Sequence, residues 1–208
     1  VQLVLIVAAA VQFAAVQGGE EGESLLAAVE LAPVSVTTPI WLEGEIPAAW
    51  QARAIERESQ RLLTEYRSRG YPVTPKLANQ ISEAAVEHGI EPALAFGLVR
   101  AESSFRNQAT SRVGAVGLTQ LMPRTAAWME PGVTRTQLRD PETNLRIGFK
   151  YLAYLVEKYE GDEKLALLAY NRGPGTVDRA LRRGGSPDNG YADFVYGKEN
   201  HGHRLFTR

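Results

Sequence analysis

The sequence predicts a mainly α-helical domain, on three observations. Apolar residues recur at three- and four-residue intervals in successive segments, most plainly Leu145, Phe149, Leu152, Leu155 and Tyr159. Capping residues and prolines stand at the starts of these segments, and glycines at their ends. No alternating apolar and polar run is long enough for a sheet core, and no internal repeat is present.

Residues 1–18 form a signal-like apolar segment, uncharged up to Glu20. It is short for a membrane span of about 20 residues and fits the apolar region of an export signal, about 7–15 residues; a membrane anchor and a buried helix are the alternatives. Residues 19–50 are acidic, carry Pro33, Pro39, Gly44 and Pro47, and lack a sustained period, so they read as a linker. A charged helix is predicted over 51–69, with Ile55, Leu62, Leu63 and Tyr66 as its sparse apolar stripe and Gly70 as its stop. Arg53, Arg57 and Arg61 share one face of it, which reads as a solvated surface rather than a binding one.

This extension, 51–73, precedes the domain proper, 74–208. Thr74 and Pro75 open a helix that runs to His88 and stops at Gly89. Pro92 opens the next, carrying Leu94, Phe96, Leu98 and Val99 towards Glu102. A third is predicted over 118–129. Asp140 and Pro141 start a fourth, ending at Gly161, and Asp162 caps a fifth over 163–170. After the turn Gly173-Pro174-Gly175 come two short helices, 177–183 and 191–196.

A chain of 208 residues, 44% of them hydrophobic, buries a core without disulfides or structural zinc. With no cysteine, thiolate zinc sites, thiol nucleophiles and a lipid-modified cysteine anchor are excluded. A net charge of -1 argues against a protein built to hold nucleic acid. That average combines two unlike halves: residues 1–99 hold 6 basic and 12 acidic side chains, residues 100–208 hold 17 and 12. The cationic half is compatible with an anionic polymer, and equally with a surface that only keeps the domain soluble.

Glu102 is the first chemical candidate. It lies near a helix end among apolar neighbours, where partial removal from water disfavours the charged carboxylate and raises its pKa. Such a group donates protons near neutral pH. A glutamate at a helix end is, however, commonly an exposed or capping side chain, and its position alone does not decide.

Four segments in order decide more. They are Glu102-Ser103-Ser104-Phe105; Ser111-Arg112-Val113-Gly114-Ala115-Val116-Gly117-Leu118-Thr119-Gln120-Leu121-Met122-Pro123; Asp140-Pro141 with Asn144; and Ala169-Tyr170-Asn171-Arg172-Gly173-Pro174-Gly175. Together, over residues 75–198, they resemble the SLT-type lytic transglycosylases, which have a goose-lysozyme-like fold. The resemblance implies a lysozyme-like α-helical domain with a catalytic cleft, behind the N-terminal apolar leader and linker. It implies cleavage of the β-1,4 bond between N-acetylmuramic acid and N-acetylglucosamine in peptidoglycan, leaving 1,6-anhydro ends. Glu102 matches the family's single acid/base. Ser111 matches a serine that bonds the substrate N-acetyl group, Gln120 a residue along the sugar edge, and Met122 an apolar cleft residue. Tyr170 and Asn171 match the segment beside the cleft, and Tyr191 matches a late tyrosine that orients the carboxyl group.

No metal or organic cofactor is implied. The implied partners are peptidoglycan glycan strands, with cell-envelope or secretion machinery as a further possibility. Nucleic acid is not among them, and membrane contact is confined to the N-terminal segment. The implied location is the periplasm or cell envelope, reached by export. The rival readings are a lysozyme-like hydrolase, which in an inverting route needs a second carboxylate as base, and a non-catalytic glycan-binding module.

Structural readings stand beside the functional ones. Met122 and Tyr170 also suit a core, Asn171 a helix-terminating turn, and Asp140 and Asn144 a helix start. The glycines at 114, 117, 173 and 175 suit special backbone angles. Two positions depart from the family pattern: Thr119 stands where it has methionine, and Arg172 where it has a small residue. Arg172 places a cation beside the expected cleft, where it could favour an anionic stem-peptide or lactyl carboxylate. His201-Gly202-His203 lacks the companions of a metal site and reads as an exposed tail.

Overall fold

The computed structural model describes residues 48–198, all within one compact unit. The apolar leader, nearly all of the linker and the His201/His203 tail lie outside the described residues. Among the described residues there are eight α-helices and one 3₁₀ turn, with no strand and two isolated antiparallel bridges, Thr110 to Val116 and Val116 to Leu121. The chain is thus mainly α-helical, as the periodicity predicts. No helix among the described residues is long and apolar enough to cross a membrane.

Helix α1 spans Ala48–Ser68 and buries Leu62, Leu63 and Tyr66. Its outer face is solvated: Arg61 pairs with Glu58 at 2.6 Å and Glu65 at 3.3 Å, one turn either side. Helix α2, Pro75–Glu87, starts where the Thr74 side chain accepts the Leu77 N–H. Helix α3, Pro92–Ser103, is buried along most of its length, from Leu94 through Arg100.

Helix α4 is Pro123–Met129, followed by a 3₁₀ turn at Gln137–Arg139 and then by α5, Pro141–Lys158. Asp140 caps α5 by accepting the Thr143 N–H at 2.9 Å. Helix α5 is the central element: Leu145, Ile147, Phe149, Leu152 and Leu155 are fully buried, and it packs against α2, α4 and α6. Helices α6, Glu163–Arg172, and α7, Pro174–Arg182, meet at Gly173, whose φ of +81° lets one end as the other begins. Helix α8, Tyr191–Val195, packs on α3 and α6. A Cβ at Gly97 of α3 would lie 2.3 Å from the Val195 carbonyl oxygen, so glycine permits this close approach.

One predicted helix is wrong in part. The apolar spacing predicts one helix over 118–129, but only Pro123–Met129 is helical. Leu118, Leu121 and Met122 have helical spacing, yet Gln120 has φ +46° and Val116 and Leu121 exchange both backbone hydrogen bonds at 3.0 and 3.1 Å. Pro123 disfavours helical geometry at Met122 and acts as the first helical residue of α4.

Candidate active site

Glu102 occupies the last turn of α3. The helix stops immediately afterwards because Ser104 and Phe105 both take left-handed backbone angles, φ 52° and 61°. Such angles are disfavoured for non-glycine residues. The Phe105 side chain offsets that strain. It is buried against Tyr66 at 5.1 Å, Tyr71 at 5.5 Å and Phe96 at 6.0 Å between ring centroids. Tyr66 comes from α1, so the charged extension helps hold the end of the helix that carries Glu102.

Burial pushes the Glu102 carboxyl from the ordinary 4.5 up to about 7. The Tyr191 phenol, almost fully buried, donates to Glu102 Oε1 and pulls the carboxyl in the opposite direction. Burial, and then the Glu102 charge, also raise the pKa of both Tyr170 and Tyr191, so these phenols stay protonated. Glu102 therefore shares its surroundings with two neutral hydroxyl groups. One of them bonds it directly.

Tyr170, which feels the Glu102 charge, holds the loop that carries Gln120. Its hydroxyl donates to the Thr119 carbonyl at 3.0 Å. That loop is held from below by Asn144 of α5, which is fully buried. Asn144 Nδ2 donates to the carbonyls of Val116 and Leu138, and its Oδ1 accepts from the Thr119 N–H and hydroxyl, all four at 2.9 Å. Asn144 is thus a loop clamp rather than a helix-start group. Gly117 makes room for it: a Cβ there would lie 2.3 Å from Asn144 Nδ2, and its φ is +82°. Thr119 is fully buried and sits on Gly148, where a Cβ would lie 2.4 Å from the threonine hydroxyl. This departure from the family pattern belongs to packing beneath the loop.

The other sequence-named residues take different places. Gln120 is half-buried, and its side-chain amide donates to the Gly117 carbonyl at 2.9 Å. The Ser111 hydroxyl accepts the Ala115 N–H at 3.0 Å within its own turn. Met122 precedes α4 and is 38% exposed, so it is not a core residue. Asn171 is exposed near the end of α6, and its Oδ1 accepts from Asn189 at 3.1 Å. Asn189 in turn accepts the Tyr191 N–H at 3.2 Å, so Asn171 reaches Glu102 through Asn189 and Tyr191.

Two further contacts escaped sequence reasoning. Arg172 donates to the Pro187 carbonyl at 2.7 Å, and Lys164 pairs with Asp188 at 2.6 Å. With the Asn171 contact, they fasten residues 187–189 to α6, directly before Tyr191. Arg172 therefore has a structural contact as well as the cationic character noted from sequence. No signal in the sequence names Pro187 as its partner, because that acceptor is a backbone carbonyl.

No group of three or more His, Asp or Glu side chains able to hold a metal occurs among the described residues. Asp178, a later carboxylate, accepts from Tyr159 at 2.8 Å and pairs with Lys158 at 3.1 Å. A shallow depression between α2 and the end of α5, lined by His88, Ile90, Val156 and Glu157, contains none of the residues around Glu102.

Residues 79–191 match the family model described as the transglycosylase SLT domain. The chain is similar to the soluble lytic murein transglycosylase of Escherichia coli strain K12, 39% identical over 94 aligned positions, with 42% of this chain and 15% of that protein covered. It is 36% identical over 128 residues to the membrane-bound lytic murein transglycosylase C of Haemophilus ducreyi, covering 54% of this chain and 33% of that one. Among solved structures it resembles an inactive mutant of the lytic transglycosylase Slt from Pseudomonas aeruginosa, with a TM-score of 0.53 and 30% identity over 61% of this chain and 23% of that chain. The 70 kDa soluble lytic transglycosylase of Escherichia coli gives a TM-score of 0.54 and 27% identity, over 71% of this chain and 27% of that one. The matches thus span a third or less of each relative's length. With the family model covering more than half of its 208 residues, the chain belongs to the transglycosylase SLT domain family.

Proposed function

We propose that this protein is a peptidoglycan lytic transglycosylase of the cell envelope that cleaves the β-1,4 bond between N-acetylmuramic acid and N-acetylglucosamine, with Glu102 as its single acid and base. The observation that carries this reading is a carboxyl group raised to about 7 with one oxygen held by a neutral phenol. At neutral pH a large fraction of Glu102 is protonated. With Tyr191 donating to Oε1, the acidic proton belongs on Oε2, free to face a substrate oxygen. Only burial and Tyr191 shift Glu102, and no second carboxylate acts on it among the described residues. The route we take needs this one carboxyl group, and the mass of the products separates it from an inverting hydrolysis needing two.

In that route Glu102 gives its proton to the glycosidic oxygen as the bond to the muramic acid C1 breaks. The substrate's own N-acetyl carbonyl oxygen stabilises the positive charge at C1. The Glu102 carboxylate then takes the proton of the C6 hydroxyl, whose oxygen bonds C1 as the acetamide oxygen leaves. Glu102 ends protonated and no water is consumed. Ser111, Gln120 and Met122 on the clamped loop, with Tyr170 and Asn171, are the residues we assign to holding the sugars, while Tyr191 positions the carboxyl group.

Digestion of purified sacculi followed by mass spectrometry tests this reading. Wild type should release muropeptides one water lighter than hydrolysis products, and Glu102→Gln should release essentially none. Products of hydrolytic mass would reassign the chain as a muramidase; undiminished digestion by Glu102→Gln would remove Glu102 from the chemistry.

A further inference from the structure

An aromatic cluster on α4 and α5 is not used by the chemistry above. Trp128 is 58% exposed and Tyr154 36%, both large apolar rings presented to solvent. They are held in fixed orientation: the Trp128 ring stands edge-on to Tyr154 at 4.9 Å and to Tyr151 at 6.3 Å between centroids. Tyr151 is nearly buried and lies 5.3 Å from the ring of Tyr170. Tyr170 bonds the Thr119 carbonyl and feels the Glu102 charge. The rings therefore run without a break from the surroundings of Glu102 to an exposed tryptophan.

The same patch is continuous with the candidate site along the chain. Met122, also exposed, stands at the start of α4, and Trp128 follows six residues later, about 9 Å along the helix axis. Exposed Arg124 stands one turn before Trp128 on α4, and exposed Lys150, one turn before Tyr154 on α5, donates to the Met129 carbonyl at 3.2 Å, so two cations neighbour the rings and suit a polymer that carries carboxylates. A half-exposed indole set against two tyrosine rings is an aromatic surface of the kind that packs on the C–H face of a pyranose ring, while the neighbouring cations meet negative charge.

We propose that Trp128, with Tyr154 beside it, forms a glycan-binding site that holds a strand beyond the sugars bound next to Glu102. The inference rests on the peptidoglycan reading for its ligand. Its substrate class is a polysaccharide with exposed pyranose faces, and its effect is preference for long strands over short fragments.

Binding separates this site from the chemistry. The full chain carrying Glu102→Gln is titrated by calorimetry with peptide-free glycan strands and with a peptide-free disaccharide of the same repeat. Adding Trp128→Ala should weaken binding of long strands about three- to tenfold, the worth of one aromatic contact, and leave disaccharide binding unchanged. Trp128→Phe should retain most of the long-strand affinity, and thermal unfolding should confirm that both variants fold. Unchanged long-strand affinity would overturn the proposal and assign the patch to a protein or lipid partner. Equal weakening for both ligands would overturn it too, by placing Trp128 in the cleft itself. Strands bound through Trp128 by a protein whose wild type releases no anhydro ends would sink the catalytic reading and leave this site standing.

Discussion

Glu102→Gln should stabilise the protein, increasingly so as pH rises. A carboxyl raised from 4.5 to about 7 binds its proton more tightly in the folded state than in the unfolded one. Its contribution is fully present below about pH 4.5 and is lost as pH rises through about 7, because the folded state must then hold a buried charge that the unfolded chain gives to water. The 2.5-unit difference corresponds to roughly 3 kcal/mol at pH 8, and to less than about 1 kcal/mol at pH 5. Glutamine cannot ionise, and it still offers an oxygen to the Tyr191 hydroxyl. The variant should therefore gain about 3 kcal/mol on wild type between pH 4 and pH 8, or roughly 6–12 °C in Tm. Thermal and urea unfolding of the two proteins at each pH unit measures this, since every other titrating group cancels in the difference. Any fixed cost of the amide also drops out, because only the slope with pH matters. A difference flat from pH 4 to pH 8 would show an ordinary carboxylate at position 102 and refute the burial reasoning.

Tyr191→Phe removes the donor that favours the ionised form of Glu102, so the carboxyl should rise beyond about 7. Activity on sacculi should fall at least about threefold at neutral pH through misplacement of the carboxyl, and the alkaline limb of the pH–rate profile should move to higher pH. A limb that moves to lower pH would refute the donor assignment. Asn144→Ala leaves the buried Thr119 N–H and the Leu138 carbonyl without their Asn144 partner, and the Val116 carbonyl with the Leu121 N–H alone. It should cost at least about 3 kcal/mol in urea unfolding, while a loss below about 1 kcal/mol would show that the loop holds itself.

The helix boundaries were legible where a local rule decides them. Thr74, Asp140 and Asp162 each accept the N–H three residues on, as their positions before apolar periodic segments predict. The failure at residues 118–122 has the complementary cause. Their apolar spacing suits a helix, but the backbone polar groups of this segment find other partners: the Thr119 N–H bonds the Asn144 side chain, 25 residues away, the Thr119 carbonyl accepts from Tyr170, and Leu121 pairs with Val116. Periodicity records which residues are buried and not which partner satisfies the backbone. Gly117 and Pro123, which bracket the segment, were the available signals against a helix there.

The chemistry of Glu102 is less local still. As part of α3 alone it would end a helix as a solvated carboxylate with an ordinary pKa. What changes it is burial by the rest of the fold, which raises it, and a tyrosine 89 residues later, whose hydrogen bond draws it part of the way back. The order of the motifs pointed to the right family because these distant pieces recur together, yet neither spacing nor composition encodes the contact that tunes the acid. The contact depends on residues with no chemistry of their own: Phe105, which ends α3, and Asn189, Pro187 and Asp188, which deliver Tyr191 to the carboxyl. A reactive group built this way is a property of tertiary packing. Loosening the fasteners on α6 should therefore alter the acidity of Glu102 without touching it.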